Sequence, residues 1–120
     1  MIVLVLALAG GLGAAARFLV DSAIERRSRL SVPVGTLVVN VTACLAIGLL
    51  TGWLGAAADA GPLATVLGVG FLGGYSTFST ASVEAARLLL DGRGRAAAAH
   101  AAGMLLVCLA AGWLGLTLAT

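Results

Sequence analysis

Residues 60–83 read AGPLATVLGVGFLGGYSTFSTASV, a run of 24 residues without a charged side chain. Its length exceeds the roughly 20 apolar residues that a helix needs to cross the hydrocarbon core of a bilayer. Gly73, Gly74 and the hydroxyl side chains after them nevertheless disfavour a continuous helix, because glycine costs about 1 kcal/mol of helix propensity and hydroxyls compete for backbone hydrogen bonds. The stretch therefore predicts a membrane span that is broken near its middle.

Three further charge-free runs flank this stretch. They cover Met1 to Ala16, Leu30 to Ala58 and Ala96 to Thr120, and they are 16, 29 and 25 residues long. The first run reaches spanning length if its helix continues past Arg17 to Val20. The chain is 61% hydrophobic and only 10% charged, whereas about a quarter of the residues in a soluble domain are charged. We expect an all-α membrane protein in which residues 1–120 form one domain of four transmembrane helices.

Small residues recur within the predicted spans. Gly48 and Gly52 form a G-x-x-x-G pair in the second span, and Gly10 and Gly13 lie in the first. Residues without bulky side chains allow the backbones of membrane helices to approach closely. The pattern predicts a tightly packed bundle.

The arginines predict how the chain is oriented. All seven flank the first or the third predicted connection, and they are Arg17, Arg26, Arg27, Arg29, Arg87, Arg93 and Arg95. Positive charge in short loops is retained on the cytoplasmic side. In a four-span protein these two connections share a side, so we expect both termini to face out of the cell (inner) membrane in a single orientation.

Few residues could support catalysis. His100 lies near the start of the last span without an Asp, Glu or Cys at ligand spacing. Glu84 and Arg87 are three residues apart, a spacing that predicts a solvated ion pair at the end of a helix. Cys44 and Cys108 lie within spans, where they are expected to act as small apolar residues. We therefore expect a protein that is not an enzyme.

Asn40 is the most informative polar residue inside a span. It lies ten residues beyond the start of its charge-free run, too deep to reach the lipid headgroups. An amide at that depth must bond to another helix or face a polar pathway. The residue alone leaves both interpretations open.

Three motifs in this chain resemble those of the small CrcB/Fluc fluoride channels. They are G-A-x-x-R followed by an aromatic residue (Gly13 to Phe18), P-x-G-T-L-x-x-N (Pro33 to Asn40) and G-G-x-[ST]-T-F-S-T (Gly73 to Thr80). The resemblance covers the whole chain, and the last two motifs are specific in combination. It implies an antiparallel dimer with two fluoride-selective pores that lead out of the cytoplasm.

The resemblance also implies roles for individual residues. The backbone carbonyls of Gly73 and Ser76 would bind a structural Na⁺ at the dimer centre. Asn40 would donate its amide N–H₂ to a passing anion, and Phe78 would offer the positive edge of its ring. Thr77, Ser79 and Thr80 would supply hydroxyl donors near the break.

Two observations predict a heterodimer with an oppositely oriented second subunit. The arginines favour one orientation, and Ala81 stands where the family has a second aromatic residue. One alternative to a conducting fluoride channel subunit is a non-conducting partner or assembly subunit of such a channel. Another is a small four-span drug exporter, which requires a membrane-embedded carboxylate, and none of the four runs contains Asp or Glu.

Overall fold

A computed structural model describes residues 1–30, 32–56 and 61–120. In chain order its helices are α1 (Ile2–Glu25), α2 (Val34–Ala56), α3 (residues 62–75), α4 (Phe78–Leu90) and α5 (Gly94–Leu118). Helix α3 has three successive segments, which are Pro62–Thr65, the wider π-helical Val66–Leu72 and Gly73–Tyr75. All regular structure in the described ranges is helical, so the predicted all-α fold class is confirmed.

Three of these helices are long and apolar enough to cross a membrane. They are α1, the Val34–Gly55 part of α2, and α5, with 24, 22 and 25 residues respectively. The predicted third span falls on α3 and α4, which are shorter and separated by Ser76 and Thr77. The chain is therefore a multi-pass membrane protein with three uninterrupted apolar helices and one divided helical segment.

Glycine and proline mark the places where the chain changes direction. Pro62 begins α3 directly after Gly61, a position where the missing N–H of proline costs nothing. Gly92 has a φ of 71° in the turn between α4 and α5, a conformation that glycine adopts without steric strain.

Helices α2 and α5 form the most extensive contact of the bundle. A Cβ atom at Gly48 would collide with the carbonyl oxygen of Gly112, and a Cβ at Gly52 would lie 2.7 Å from the carbonyl oxygen of Leu116. Helices α1 and α3 approach each other in the same way, since a Cβ at Gly13 would collide with the Phe71 carbonyl. The predicted close packing at these glycines is confirmed, and it brings the polar residues of neighbouring helices within bonding distance.

This packing predicts that Gly48→Ala destabilises the protein more than Gly112→Ala. The new methyl at position 48 overlaps the facing backbone, whereas a methyl at position 112 would lie 3.6 Å from the Cys44 carbonyl, an ordinary contact. Overpacking of this kind costs about 1–3 kcal/mol. Thermal unfolding in detergent should show a melting temperature several degrees lower for Gly48→Ala, and equal melting temperatures for both variants would contradict the packing.

Candidate functional site

The centre of the candidate site is the helix break, formed by Ser76 and Thr77. Helix α3 ends at Tyr75, Ser76 has a ψ of 159°, and Thr77 is extended with φ −150° and ψ 121° before α4 begins at Phe78. Two peptide units thereby leave the helical hydrogen-bond pattern. Polar backbone groups within a membrane need another partner, because lipid offers none.

Asn40 of α2 supplies that partner. Its Nδ2 donates to the Thr77 carbonyl at 2.8 Å, and the Thr77 N–H donates to its Oδ1 at 2.8 Å. The side-chain amide thus pairs with the backbone as a neighbouring strand would. Both residues are buried, with exposures of 8% and 7%. We call these two bonds between Asn40 and Thr77 the clamp. In a continuous helix the Thr77 N–H would bond to the Gly73 carbonyl, so the clamp also frees that oxygen from this bond.

The remaining N–H of Asn40 faces a weak acceptor. Nδ2 lies 3.3 Å from the thioether Sδ of Met104 on α5, a residue that is 9% exposed. Sulfur of this kind accepts hydrogen bonds poorly. Asn40 therefore holds helices α2, α4 and α5 together, while one of its donors has a partner that is easily replaced. Met104 was missed by the sequence analysis because an apolar residue in an apolar span gives no signal of such a contact.

The hydroxyl side chains near the break form one cluster at the start of α4. Thr77 Oγ1 accepts from the Thr80 N–H at 3.2 Å, donates to Thr80 Oγ1 at 3.0 Å and lies 3.3 Å from Ser79 Oγ. This is an N-cap, in which a side-chain oxygen satisfies a free N–H of the first helical turn. The structure therefore brings together Thr77, Ser79 and Thr80, which the sequence analysis had singled out.

Arg17 of α1 adds a positive charge beside this cluster. Its guanidinium donates to the Ser76 carbonyl at 3.3 Å. With Asp21, Thr36, Thr77 and other residues it lines a cavity of about 230 Å³. The positive end of the α4 dipole lies at the same place. This cavity, the smaller of two neighbouring ones, therefore combines hydroxyls, a guanidinium and a helix N-terminus.

A larger cavity of about 590 Å³ lies beside it and contains most of the acidic groups. Its charged lining residues are Asp21, Glu25, Glu84 and Arg87. The carboxylate of Glu84 turns into the bundle, where it accepts from Thr36 Oγ1 at 2.5 Å and lies 3.5 Å from His100 Nε2. The predicted solvated pair between Glu84 and Arg87 is wrong, because the Glu84 side chain faces α2 and α5 instead of the end of its own helix.

Comparison with known proteins identifies the family. The sequence profile described as CrcB-like protein, Camphor Resistance (CrcB), matches residues 4–116. The chain belongs to the CrcB family. It is 48% identical to fluoride-specific ion channel FluC 2 of Cutibacterium acnes, and the alignment covers 98% of this chain and 97% of that protein.

Other CrcB relatives agree with this assignment. Fluoride-specific ion channel FluC 1 of Leifsonia xyli is 43% identical over 98% of this chain and 86% of its own length. Fluoride-specific ion channel FluC of Nitratidesulfovibrio vulgaris is 41% identical over 95% of this chain and 93% of its own length. Proteins so named move ions and do not transform substrates, in agreement with the expectation that the chain is not an enzyme.

The remaining residues singled out from the CrcB resemblance lie on the surface of the single chain or near it. Phe78 is 89% exposed. Gly73 is exposed, and Ser76 is half-buried with its carbonyl bonded to Arg17. These three residues are therefore not enclosed with Asn40 and the hydroxyl cluster by this chain alone.

The clamp predicts that Asn40→Leu destabilises the protein. Leucine has a similar size but cannot bond the N–H and the carbonyl of Thr77, and each buried group left without a partner costs about 1–3 kcal/mol. A fall of several degrees in the melting temperature in detergent is expected.

Thr42→Val on the same helix provides the matched control. Its hydroxyl bonds to the Val38 and Val39 carbonyls of its own helix and to the Tyr75 hydroxyl, at an exposed position. If Asn40→Leu melts at the temperature of Thr42→Val, the clamp contributes nothing to stability.

Proposed function

We propose that the chain is a subunit of a passive, fluoride-selective ion channel that exports fluoride from the cytoplasm. The observation that carries this proposal is the hydroxyl cluster at the helix break, with the Asn40 amide on one side and the Arg17 guanidinium on the other. Relatives at 41–48% identity that are named fluoride-specific ion channels support it.

These groups suit a small, strongly hydrated anion. Moving such an ion into a medium of low dielectric constant costs of order 20 kcal/mol before the protein relaxes, so donors must replace its water shell along the whole path. Neutral hydroxyls and amides bind more weakly than full charges, and conduction requires sites that release the ion as readily as they admit it. The loosely held N–H of Asn40 meets this requirement.

No energy source is needed for export. A membrane potential that is negative inside moves an anion outward, and it supplies about 2.3 kcal/mol per charge for each 100 mV. The proposed pathway therefore operates by diffusion down this potential.

We further propose an antiparallel dimer with its centre at the third span, which is divided at mid-membrane. Phe78 is 89% exposed beside the break and Val69 is 70% exposed on α3, so a second subunit would cover residues that one chain leaves bare. In this arrangement Phe78 would line a pore completed by the partner.

The carbonyls of Gly73 and Ser76 fit a structural Na⁺ at that centre. The Gly73 oxygen is freed by the clamp, and the Ser76 oxygen keeps a second lone pair beside its bond from Arg17. A bound Na⁺ would supply positive charge beside these two carbonyl oxygens. Gly73 and Ser76 hold it through backbone atoms alone, so the side chain at position 76 is not critical.

The partner is proposed to be a different chain in the inner membrane. Seven arginines on two connections that share a side favour one orientation, with both termini outside. Two copies of this chain would then insert parallel to each other. An antiparallel pair would need a homologue with its arginines on the opposite connections, and such a partner would compensate for Ala81.

The rival function of a small drug exporter requires a carboxylate within a span, and the charge-free runs contain none. The Glu84 side chain, one residue beyond the third run, is nevertheless 16% exposed and contacts α2 and α5. Membership of the CrcB family, with relatives that are named fluoride-specific ion channels, favours the channel over the exporter.

Liposomes that contain the purified channel should release trapped fluoride faster than protein-free liposomes, and Phe78→Ile should lower that rate at least about tenfold because the ring edge is lost. Trp113→Ile replaces another exposed aromatic residue, far from the break, and serves as the matched control. Flux is measured with a fluoride electrode, from the chain together with an oppositely oriented homologue. Equal flux from both variants would remove Phe78 from the pathway, and no flux from the unaltered protein would refute the channel.

The single orientation predicts that a reporter fused after Thr120 is active only when it is of the kind that works outside the cytoplasm. Moving the arginines of the first connection to the second is the control, because it should reverse the signal. Equal activity from inner and outer reporters would show dual insertion, and it would favour a homodimer over the proposed heterodimer.

A further inference from the structure

The contact between Glu84 and His100 is a buried titratable pair that the proposed conduction does not use. The Glu84 and His100 side chains are 16% and 7% exposed, and they join α4 to α5 across the bundle. Glu84 Oε1 accepts from Thr36 Oγ1, and Oε2 lies 3.5 Å from His100 Nε2. Thr36 itself is 2% exposed, so the carboxylate is fixed from the side of α2.

Neither atom of the contact has a hydrogen-bond partner among the described residues. Glu84 Oε2 and His100 Nε2 are both buried and unsatisfied, as is Asp21 Oδ1. Their separation of 3.5 Å exceeds the 2.7–3.2 Å of a good N–H···O bond. Imidazolium and carboxylate would attract each other and form a shorter, charge-assisted bond. A hydrogen bond from a protonated Nε2 to Oε2 would satisfy both groups at once.

The charges around this pair are unbalanced. From α1, Asp21 and Glu25 face the larger cavity with Glu84, and from α4 the only cation there is Arg87. Arg17 of α1 lies beside Asp21 in the smaller cavity. Helix α2 contributes the uncharged Thr36, and α5 contributes His100 itself, with Arg95 in its first turn.

Asp21 is held close to the pair by the backbone of α2. A Cβ atom at Gly35 would collide with the Asp21 carboxylate, so that carboxylate lies directly against the first turn of α2. Among the residues that line the two cavities, three carboxylates are opposed by the guanidinium groups of Arg17 and Arg87, and one positive charge on His100 would balance these lining charges.

We propose that Glu84 and His100 form a proton-binding site at the entrance to the ion pathway, and that its protonated state admits fluoride. This inference rests on the proposed channel function and specifies its regulation. With the site deprotonated, an anion that enters the larger cavity meets excess negative charge. With the site protonated, the charges balance and the electrostatic barrier falls. Fluoride flux therefore rises as the cytoplasmic side becomes acidic and the site takes up its proton.

The proton site can be tested without any flux measurement. His100 is the only histidine in the chain, so the titration of its imidazole appears as a single NMR signal from the full-length protein in detergent. Glu84→Gln keeps the shape of the side chain and removes its charge. The midpoint of the His100 titration should fall in this variant because the neighbouring carboxylate charge is lost, and an unchanged midpoint would overturn the proposal.

Fluoride flux tests whether the protonation of this site regulates the channel. Fluoride efflux from liposomes, corrected for protein-free vesicles that leak HF, should increase at least about fivefold from pH 8 to pH 6 around the histidine titration. His100→Gln should abolish most of this increase, and Glu84→Gln should give high flux at both pH values. Ser22→Ala, which changes an uncharged residue of the same cavity, should keep the pH dependence of the unaltered protein.

The outcomes separate the site from the channel. Identical pH profiles for His100→Gln and the unaltered protein would overturn the proposed regulation even if fluoride flux is robust. Absence of flux at every pH would instead refute the channel function, whereas the NMR titration tests the Glu84 and His100 site by itself. If His100→Gln does not fold, the flux of Glu84→Gln at pH 8 tests the proposal instead. Flux higher than that of the unaltered protein at pH 8 is expected, and equally low flux would contradict the proposal.

Discussion

The double hydrogen bond between the Asn40 amide and the Thr77 backbone is the constraint on which the rest of this structure depends. It allows two residues to leave the helix inside the bundle without unpaired polar groups. The break in turn starts a new helix at Phe78, places its N-terminus beside Arg17 and gathers the hydroxyls of Thr77 and Thr80. A single side chain on α2 therefore determines where the polar groups of three other helices meet.

Close packing at glycines keeps the helices near enough for the Asn40 side chain to reach its partners. The backbones of α2 and α5 touch at Gly48 and Gly112, and those of α1 and α3 touch at Gly13 and Phe71. A side chain at Gly48 or Gly13 would overlap the facing carbonyl oxygen and push the two helices apart. The amide of Asn40 could then no longer reach both Thr77 and Met104.

Much of the fold could be predicted from the sequence, because hydropathy and glycine spacing act locally along each helix. The runs without charge, the close approach at Gly48 and the non-helical character of the stretch around Thr77 are properties of this kind. The partners of Glu84 and Asn40 could not be predicted from the sequence, because they depend on the axial register between helices that are distant along the chain. Spacing along α4 suggested Arg87 for Glu84, whereas the bundle turns that carboxylate toward His100, 16 residues away on another helix.

The π-helical segment Val66–Leu72 has a consequence for how this family can tolerate change. Its Gly73 N–H bonds to the Gly68 carbonyl, five residues back, so the segment accommodates one residue more than an α-helix of the same height. Deleting any one residue there would let the wider turn relax to a normal one, and the chain after it would keep its position. Deleting a residue from the neighbouring Gly73–Tyr75 segment would rotate everything that follows by about 100°. The segment thus acts as a length buffer, in which the deletion of one residue is absorbed before it reaches the residues at the break.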